Sequence, residues 1–453
     1  MFVDKVVLIP GICGSELMDG ADLLWPGTPW NKVFSNYPDA FVDKLAHSRT
    51  VRPTGILRSV PLTVGGITLH HFDGYGQAFA ALEEIGFSEQ GGTLIPFAYD
   101  WRRDVRQTAA TLRDFLVKQN LAGARVGIVA HSMGGLVARY LLERIGLPPG
   151  VTVSIAVLVA VPHLGAPSSL QNIIGLRPEI FLTAAQCKVV VGNPEFPSAY
   201  QLLPRANVPA LLQVAGVLGY REEDILGDEV RQALNLSAGS LKAAEGLWSE
   251  LKMQDSAWEP PCRYFAIVGN EQRTIAANYL GLEGVLAQAL EEEGAGDGTV
   301  PLWSAASPRI PSRYVPSEHG SMFTDPRARQ IMRALLRPEQ AGDHPFLADA
   351  FETHAPVSVQ PTMPSVQAGD PVNVALVADA AVSELHGYLT IELHLGDDKV
   401  DTHSIRIDYK GGPLRSLAID LPTADEPALM RIWFDQAAVP RGREGVVLVL
   451  PST

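Results

Sequence analysis

Five short runs in this 453-residue chain are apolar and β-branched without alternation: residues 6–10, 93–98, 125–130, 151–161 and 264–268. A strand with one wet face alternates apolar and polar residues. A continuous run is buried on both faces, as in a parallel sheet. Helical patterns separate the runs, over 76–85, 105–119 and 133–145. Strand–helix alternation of this kind predicts an α/β fold with right-handed crossovers. Two stretches break the rhythm. Residues 19–69 carry Trp25, Trp30, Phe34, Tyr37 and Phe41, and residues 171–261 are partly helical. Insertions of this size are expected over the active-site end, as lids or substrate walls.

The character changes after the last helical segment. We expect an α/β domain over 1–340, a linker over 341–355 with Gly342 and Pro345, and a β-sandwich domain over 356–453. Short alternating runs at 372–377, 387–395, 403–409, 414–421, 429–434 and 445–450 read as its strands. Turn signals at Gly396-Asp397-Asp398 and Gly411-Gly412-Pro413 separate them.

Charge and composition exclude several classes. Apolar residues make up 46% and charged residues 19%, which excludes disorder as the main state. The net charge is −14, and the C-terminal stretch 356–453 has 7 basic and 13 acidic residues, or −6. Neither offers the basic face that phosphate contacts require, so no nucleic-acid partner is expected. Cys13, Cys187 and Cys262 are odd in number and lack C-x-x-C spacing, which argues against a zinc ribbon or a disulfide scaffold. The start, Met-Phe-Val-Asp-Lys-Val-Val-Leu-Ile-Pro, has no signal-peptide pattern. No run reaches the roughly 18 apolar residues of a spanning helix. A cytoplasmic location is expected. No cofactor or metal is called for.

The sharpest motif is Ala130-His131-Ser132-Met133-Gly134-Gly135, between the strand 125–130 and the helix 133–145. This is the context of a G-x-S-x-G nucleophile elbow, with Ala in the first small position. A serine on a strained turn tolerates only small residues two positions away. The competing reading, a serine helix cap, does not demand small residues on both sides.

A serine hydroxyl needs a base, and in this arrangement the chain order is Ser, acid, His. Of eleven histidines, those at 47, 70, 71 and 131 precede or adjoin the serine, and His163 follows too soon. His344 and His354 fall in the linker, and His386, His394 and His403 in the β domain. His319, in Ser317-Glu318-His319-Gly320, remains. The acid is expected at Asp297 in Gly296-Asp297-Gly298, where it would orient the imidazole and stabilise its cation. An Asp-Gly turn is the competing reading, and Asp224, Asp228 and Asp255 are rivals in the polar insertion. Oxyanion donors are expected from the amides of Met133 and Ile12, the latter in the loop Pro10-Gly11-Ile12-Cys13-Gly14-Ser15. Cys13 reads as a small buried hydrophobe rather than a reactive thiol.

Taken together, these motifs resemble the lecithin:cholesterol acyltransferase family, which includes lysosomal phospholipase. The matching pieces are the segment 7–15, Tyr99-Asp100-Trp101-Arg102, the Ser132 elbow, the Asp297 segment and the His319 loop, in the family's order. The resemblance implies an α/β-hydrolase with a Ser132, Asp297 and His319 triad acting on acyl esters of lipids. It also implies a tryptophan-bearing lid after the oxyanion loop, which would place Trp25 or Trp30 near the entrance. Asp100 and Arg102 are expected to form a buried pair bracing the site. Apolar residues Leu23, Leu24, Phe34 and Phe41 favour a lipid-like acyl chain. The C-terminal strands lie outside the resemblance.

The expected function is a lipid acyl-ester hydrolase or O-acyltransferase working through an acyl-enzyme, with peripheral membrane contact and a protein partner for the β domain among its expected interactions. Two alternatives stand beside it: a non-catalytic binding protein on a hydrolase scaffold, and a triad hydrolase of a non-lipid ester or amide.

Overall fold

The computed structural model describes residues 3–27, 37–64, 67–179, 181–205, 208, 210–215, 219–222, 224–251, 258, 260–281, 286–306, 310–337, 357–396, 398–422, 424–435 and 442–451. It divides into two compact units, Met1–Leu211 with Glu223–His344, and Leu212–Glu222 with Pro345–Thr453. The linker expected at 341–355 lies outside the described residues.

The first unit is built on six strands: β1 (Lys5–Ile9), β2 (Leu94–Pro96), β3 (Arg125–His131), β4 (Thr152–Val159), β5 (Arg263–Gly269) and β6 (Ser312–Val315). Their order is β6-β5-β4-β3-β1-β2, and every pairing is parallel. In β1, β3 and β5 every residue after the first is buried. That is the double-sided burial implied by runs without alternation. The helices expected between them form over Gly76–Glu84, Val105–Val117 and Met133–Tyr140. Asp104 caps the second by accepting from the Arg106 amide at 2.8 Å. The third loosens into a π turn over Leu141–Ile145 and stops at Gly146, whose φ of 83° suits glycine.

The first insertion folds as a three-stranded sheet (Ser15–Asp19, Asp22–Trp25, Arg52–Ile56), a helix (Asp39–His47) and a hairpin (Ser59–Val64, Ile67–Asp73). The second contributes helices Ser168–Ile174, Ala184–Val190, Asp228–Ala233 and Ala238–Glu250. Sequence patterning missed two hairpins, one of them Leu211–Ala215 with Gly219–Glu222. After β5 the chain runs out along Gln272–Leu280 and back along Leu286–Gly296 as an antiparallel hairpin. Its return strand includes Glu291-Glu292-Glu293, an acidic run with none of the apolar alternation by which a strand is recognised.

The C-terminal unit is all β. The runs expected at 372–377 and 387–395 merge into one strand, Val372–Leu395, and those at 403–409 and 414–421 merge into Asp398–Leu421. The Gly411–Pro413 turn signal therefore falls inside a strand rather than between two. Among the described residues that strand pairs along one side, where Leu414 meets Val382 at a register shift, and an outer edge tolerates a proline that cannot donate. Val357–Pro361 pairs with one half of Val372–Leu395, and Ala428–Asp435 with the other half. Val357–Pro361 also packs against Ala428–Asp435 and Gly445–Leu450. One long bent sheet thus folds over its own core of Val359, Val374, Leu389, Ile432, Phe434 and Val447.

Space is tightest where the Met133–Tyr140 helix crosses the sheet. A Cβ on Gly134 would lie 2.3 Å from the Pro10 carbonyl oxygen, and one on Gly135 would lie 2.1 Å from Val161 Cγ2. Gly134→Ala is therefore expected to cost about 1–3 kcal/mol through overpacking, read as a lower denaturation midpoint.

Candidate active site

Ser132 follows β3 and caps the start of the next helix with φ 54° and ψ −130°. A non-glycine residue at positive φ is strained and needs its surroundings to hold it. Here its amide donates to the Val159 carbonyl at 2.9 Å, and the Gly134 and Gly135 backbones press directly on the neighbouring strand ends. The side chain is nearly buried, at 6% exposure for the residue.

His319 follows β6 in a short turn, His319–Ser321. Its Nε2 lies 2.9 Å from Ser132 Oγ and its Nδ1 lies 2.8 Å from Asp297 Oδ2. The carboxylate can only accept, so Nδ1–H donates to it and Nε2 is left to accept the serine proton. Asp297 is 1% exposed. Its Oδ1 accepts from the amides of Thr299 (3.0 Å) and Val300 (2.7 Å). The His319 amide donates to the Asp297 carbonyl at 2.8 Å, so the two loops are tied through main chain as well. Gly269 at the end of β5 leaves room for this. A Cβ there would lie 2.5 Å from the Asp297 Cβ. Burial works against a charged His319, but Asp297 beside Nδ1, with Glu179 adding to it, outweighs burial and holds its pKa above the ordinary value.

The rival acids are otherwise occupied. Asp224 accepts from the Leu226 amide, and Asp228 is exposed and pairs with Arg231. Asp255 lies outside the described residues.

The loop after β1 closes as a turn, with the Gly14 amide donating to the Gly11 carbonyl at 3.2 Å and Cys13 at φ 59°. Tyr99 Oη donates to the Pro10 carbonyl at 2.8 Å. The Gly11 amide donates to Tyr75 Oη at 2.6 Å, so it is already engaged. Among the described residues, the amides of Ile12 and Met133 have no such partner. Met133 heads its helix, where amides lack intrahelical acceptors. Burial pushes the Cys13 thiol well up, so it stays protonated.

Trp25 is fully buried, and its indole N–H donates to the Cys13 carbonyl at 2.7 Å. It meets Trp101 edge-on at 5.5 Å between centroids. Trp25 therefore backs the turn after β1 from inside rather than facing an entrance. Trp30 and Phe34 lie outside the described residues. Leu24 is buried, Leu23 is half-buried, and Phe41 stacks on Tyr37 at 4.7 Å. Arg102 grips Asp100 with two bonds of 2.8 Å, and its Nη1 donates to the Leu45 carbonyl at 2.5 Å. Its guanidinium covers the Phe196 ring at 4.2 Å. The pair thus joins the Tyr99-Asp100-Trp101-Arg102 segment to both insertions.

Sequence reasoning set His131 aside because it adjoins the serine, and did not consider Tyr75. His131 Nδ1 lies 2.8 Å from Tyr75 Oη, and its Nε2 lies 3.0 Å from the His319 carbonyl. Burial above all, with His319 nearby, holds the His131 pKa well below the ordinary value, so the ring is neutral. No pattern in one sequence links position 75 to position 131.

A parallel six-stranded sheet, a strained serine at the end of a central strand, and an acid and a histidine after later strands define an α/β-hydrolase. Residues 44–240, which include the Tyr99–Arg102 segment and the elbow, match the family model described as Lecithin:cholesterol acyltransferase. The match leaves out the first strand, Asp297, His319 and residues 345–453. Comparison with curated protein sequences gives no match. Among solved structures, phospholipase PlaB from Legionella pneumophila is similar at 10% identity and TM-score 0.36, covering 97% of this chain and 86% of that one. Bacillus licheniformis lipase BlEst2 is similar at 13% identity and TM-score 0.34, covering 74% and 92%. A cycloisomaltooligosaccharide glucanotransferase from Paenibacillus sp. is similar at 17% identity and TM-score 0.18 over 22% of this chain and only 14% of that one. No helix among the described residues is long and apolar enough to cross a membrane.

Breaking the buried Asp100–Arg102 pair leaves a guanidinium without its counter-charge. Asp100→Ala is expected to cost about 3–5 kcal/mol, measured by denaturant unfolding.

Proposed function

We propose that this protein is a serine-dependent hydrolase or O-acyltransferase of lipid acyl esters. The observation that carries the reading is the continuous hydrogen-bonded chain Ser132 Oγ–His319–Asp297. His319 Nε2 takes the hydroxyl proton as Ser132 Oγ attacks the ester carbonyl. The carbonyl oxygen becomes an oxyanion, received by the amides of Ile12 and Met133. Asp297 stabilises the imidazolium. When the tetrahedral species collapses, the C–O bond to the leaving alcohol breaks and His319 returns the proton to that alcohol. The acyl group stays on Ser132. Water or a second alcohol then gives its proton to His319 and takes the acyl group, yielding an acid or a new ester. The family match over 44–240 supports a lipid ester as substrate.

Ser132→Ala is expected to lower kcat by roughly 10⁶-fold on simple and long-chain esters alike, and to abolish labelling by a fluorophosphonate probe. Full activity in that variant, or no labelling of the native serine, ends the reading. A panel of phospholipids, neutral lipids and p-nitrophenyl esters, with and without an acceptor alcohol, separates hydrolysis from transacylation.

The mechanism needs neutral His319 in the free enzyme. With its pKa held above the ordinary histidine value, kcat/KM is expected to fall as pH drops through that raised pKa. Asp297→Asn removes the main opposing charge and leaves burial in control. The acid limb of its pH profile is expected to move to lower pH, alongside a drop in kcat of about 10⁴-fold.

A further inference from the structure

The oxyanion turn and the His319 loop belong to segments more than three hundred residues apart, yet catalysis needs both in register around one serine. A single line of hydrogen bonds joins them. It runs from the Gly11 amide to Tyr75 Oη (2.6 Å), from Tyr75 Oη to His131 Nδ1 (2.8 Å), and from His131 Nε2 to the His319 carbonyl (3.0 Å). The ends set the direction of every proton. The His319 carbonyl can only accept, so His131 carries its proton on Nε2. A neutral ring then has a lone pair on Nδ1, which accepts from the Tyr75 hydroxyl. The tyrosine oxygen is left to accept from the Gly11 amide. Each of these polar groups is used in the line.

The packing matches. A Cβ on Gly14 would lie 2.7 Å from Tyr75 Cε2, and one on Gly11 would lie 3.3 Å from Tyr75 Oη and 2.8 Å from Ser132 Cβ. The oxyanion turn is therefore glycine-built against this tyrosine. The His131 ring lies 4.7 Å from the His319 ring and 5.7 Å from Phe323, and Tyr75 lies 6.3 Å from Phe323. The line also engages the Gly11 amide, so that it is not an oxyanion donor, and leaves the Ile12 amide available.

We propose that Tyr75 and His131 are positioning residues: together they lock the oxyanion turn and the His319 loop into one register around Ser132. The proposal rests on the serine-hydrolase reading above. Tyr75→Phe removes one oxygen and keeps the ring. With p-nitrophenyl butyrate it is expected to lower kcat roughly 10²-fold, the scale of a misplaced catalytic group, with KM within about 2-fold. The affinity for an alkyl boronic acid, which mimics the tetrahedral species, is expected to fall by the same factor. His131→Gln, whose amide can both accept and donate, is expected to keep most of the activity, and His131→Leu to lose as much as Tyr75→Phe. The double variant Tyr75→Phe/His131→Leu is expected to be no worse than the weaker single variant, as for two members of one line.

A Tyr75→Phe enzyme within about 3-fold of the parent kcat overturns the proposal. So does a loss of kcat without a matching loss of boronate affinity, or losses that multiply in the double variant. Should His131→Leu fail to fold, as judged by near-ultraviolet circular dichroism, Tyr75→Phe with the boronate decides alone. Ser132→Ala is the reference. If it is inactive while Tyr75→Phe is normal, only the positioning role falls. If Ser132→Ala is active, the serine-hydrolase reading falls first.

Discussion

The close crossing of the Met133–Tyr140 helix over the ends of β1 and β4 is the constraint on which the rest depends. It forces Ser132 into a positive φ, requires hydrogen in place of a side chain at Gly134 and Gly135, and sets the Ser132 amide on the Val159 carbonyl. Once the serine is pinned there, its hydroxyl has one outlet, toward His319. The strain is a few kcal/mol at most, and the six-stranded sheet supplies far more burial than that. A rigid platform holds the reactive atom while the groups around it arrive on loops.

Those loops come from distant parts of the chain, and each is tied down by a different kind of bond. The oxyanion turn is pinned through the Trp25 indole and the Tyr99 and Tyr75 hydroxyls. The acid loop is pinned by its own amides on Asp297 Oδ1, and the histidine loop by main chain to Asp297. The two insertions meet on the Arg102 guanidinium. Few of these ties are solvent-exposed ion pairs, so little of the site geometry depends on ionic strength.

The parts that could be read from the sequence are those whose physics is local. Uninterrupted runs such as 125–130 mark doubly buried strands, and the small residues flanking Ser132 mark the elbow. Asp297 and His319 were reachable because chain order and elimination left few candidates, and the two do meet the serine in one hydrogen-bonded chain. What stayed hidden is what depends on tertiary contact. Trp25 looks like an entrance residue by its place in the chain but is consumed in the interior. Tyr75 sits in Asp73-Gly74-Tyr75-Gly76, a plain turn by composition, and acquires meaning only through Gly11 and His131. The hairpin Gln272–Gly296 escaped because its return strand is acidic. In the C-terminal unit Gly411 and Gly412 suggested a chain reversal, whereas a long outer strand can absorb two glycines and a proline as a bend.

Cys13 sits in the turn between Gly11 and Gly14, at φ 59°, where an added group would have no room. Burial pushes the Cys13 thiol well up, and those of Cys187 and Cys262 to about 12. At neutral pH none of the three presents the thiolate that peroxides, electrophiles and disulfides attack. Chemistry that needs a thiolate is therefore suppressed at all three positions.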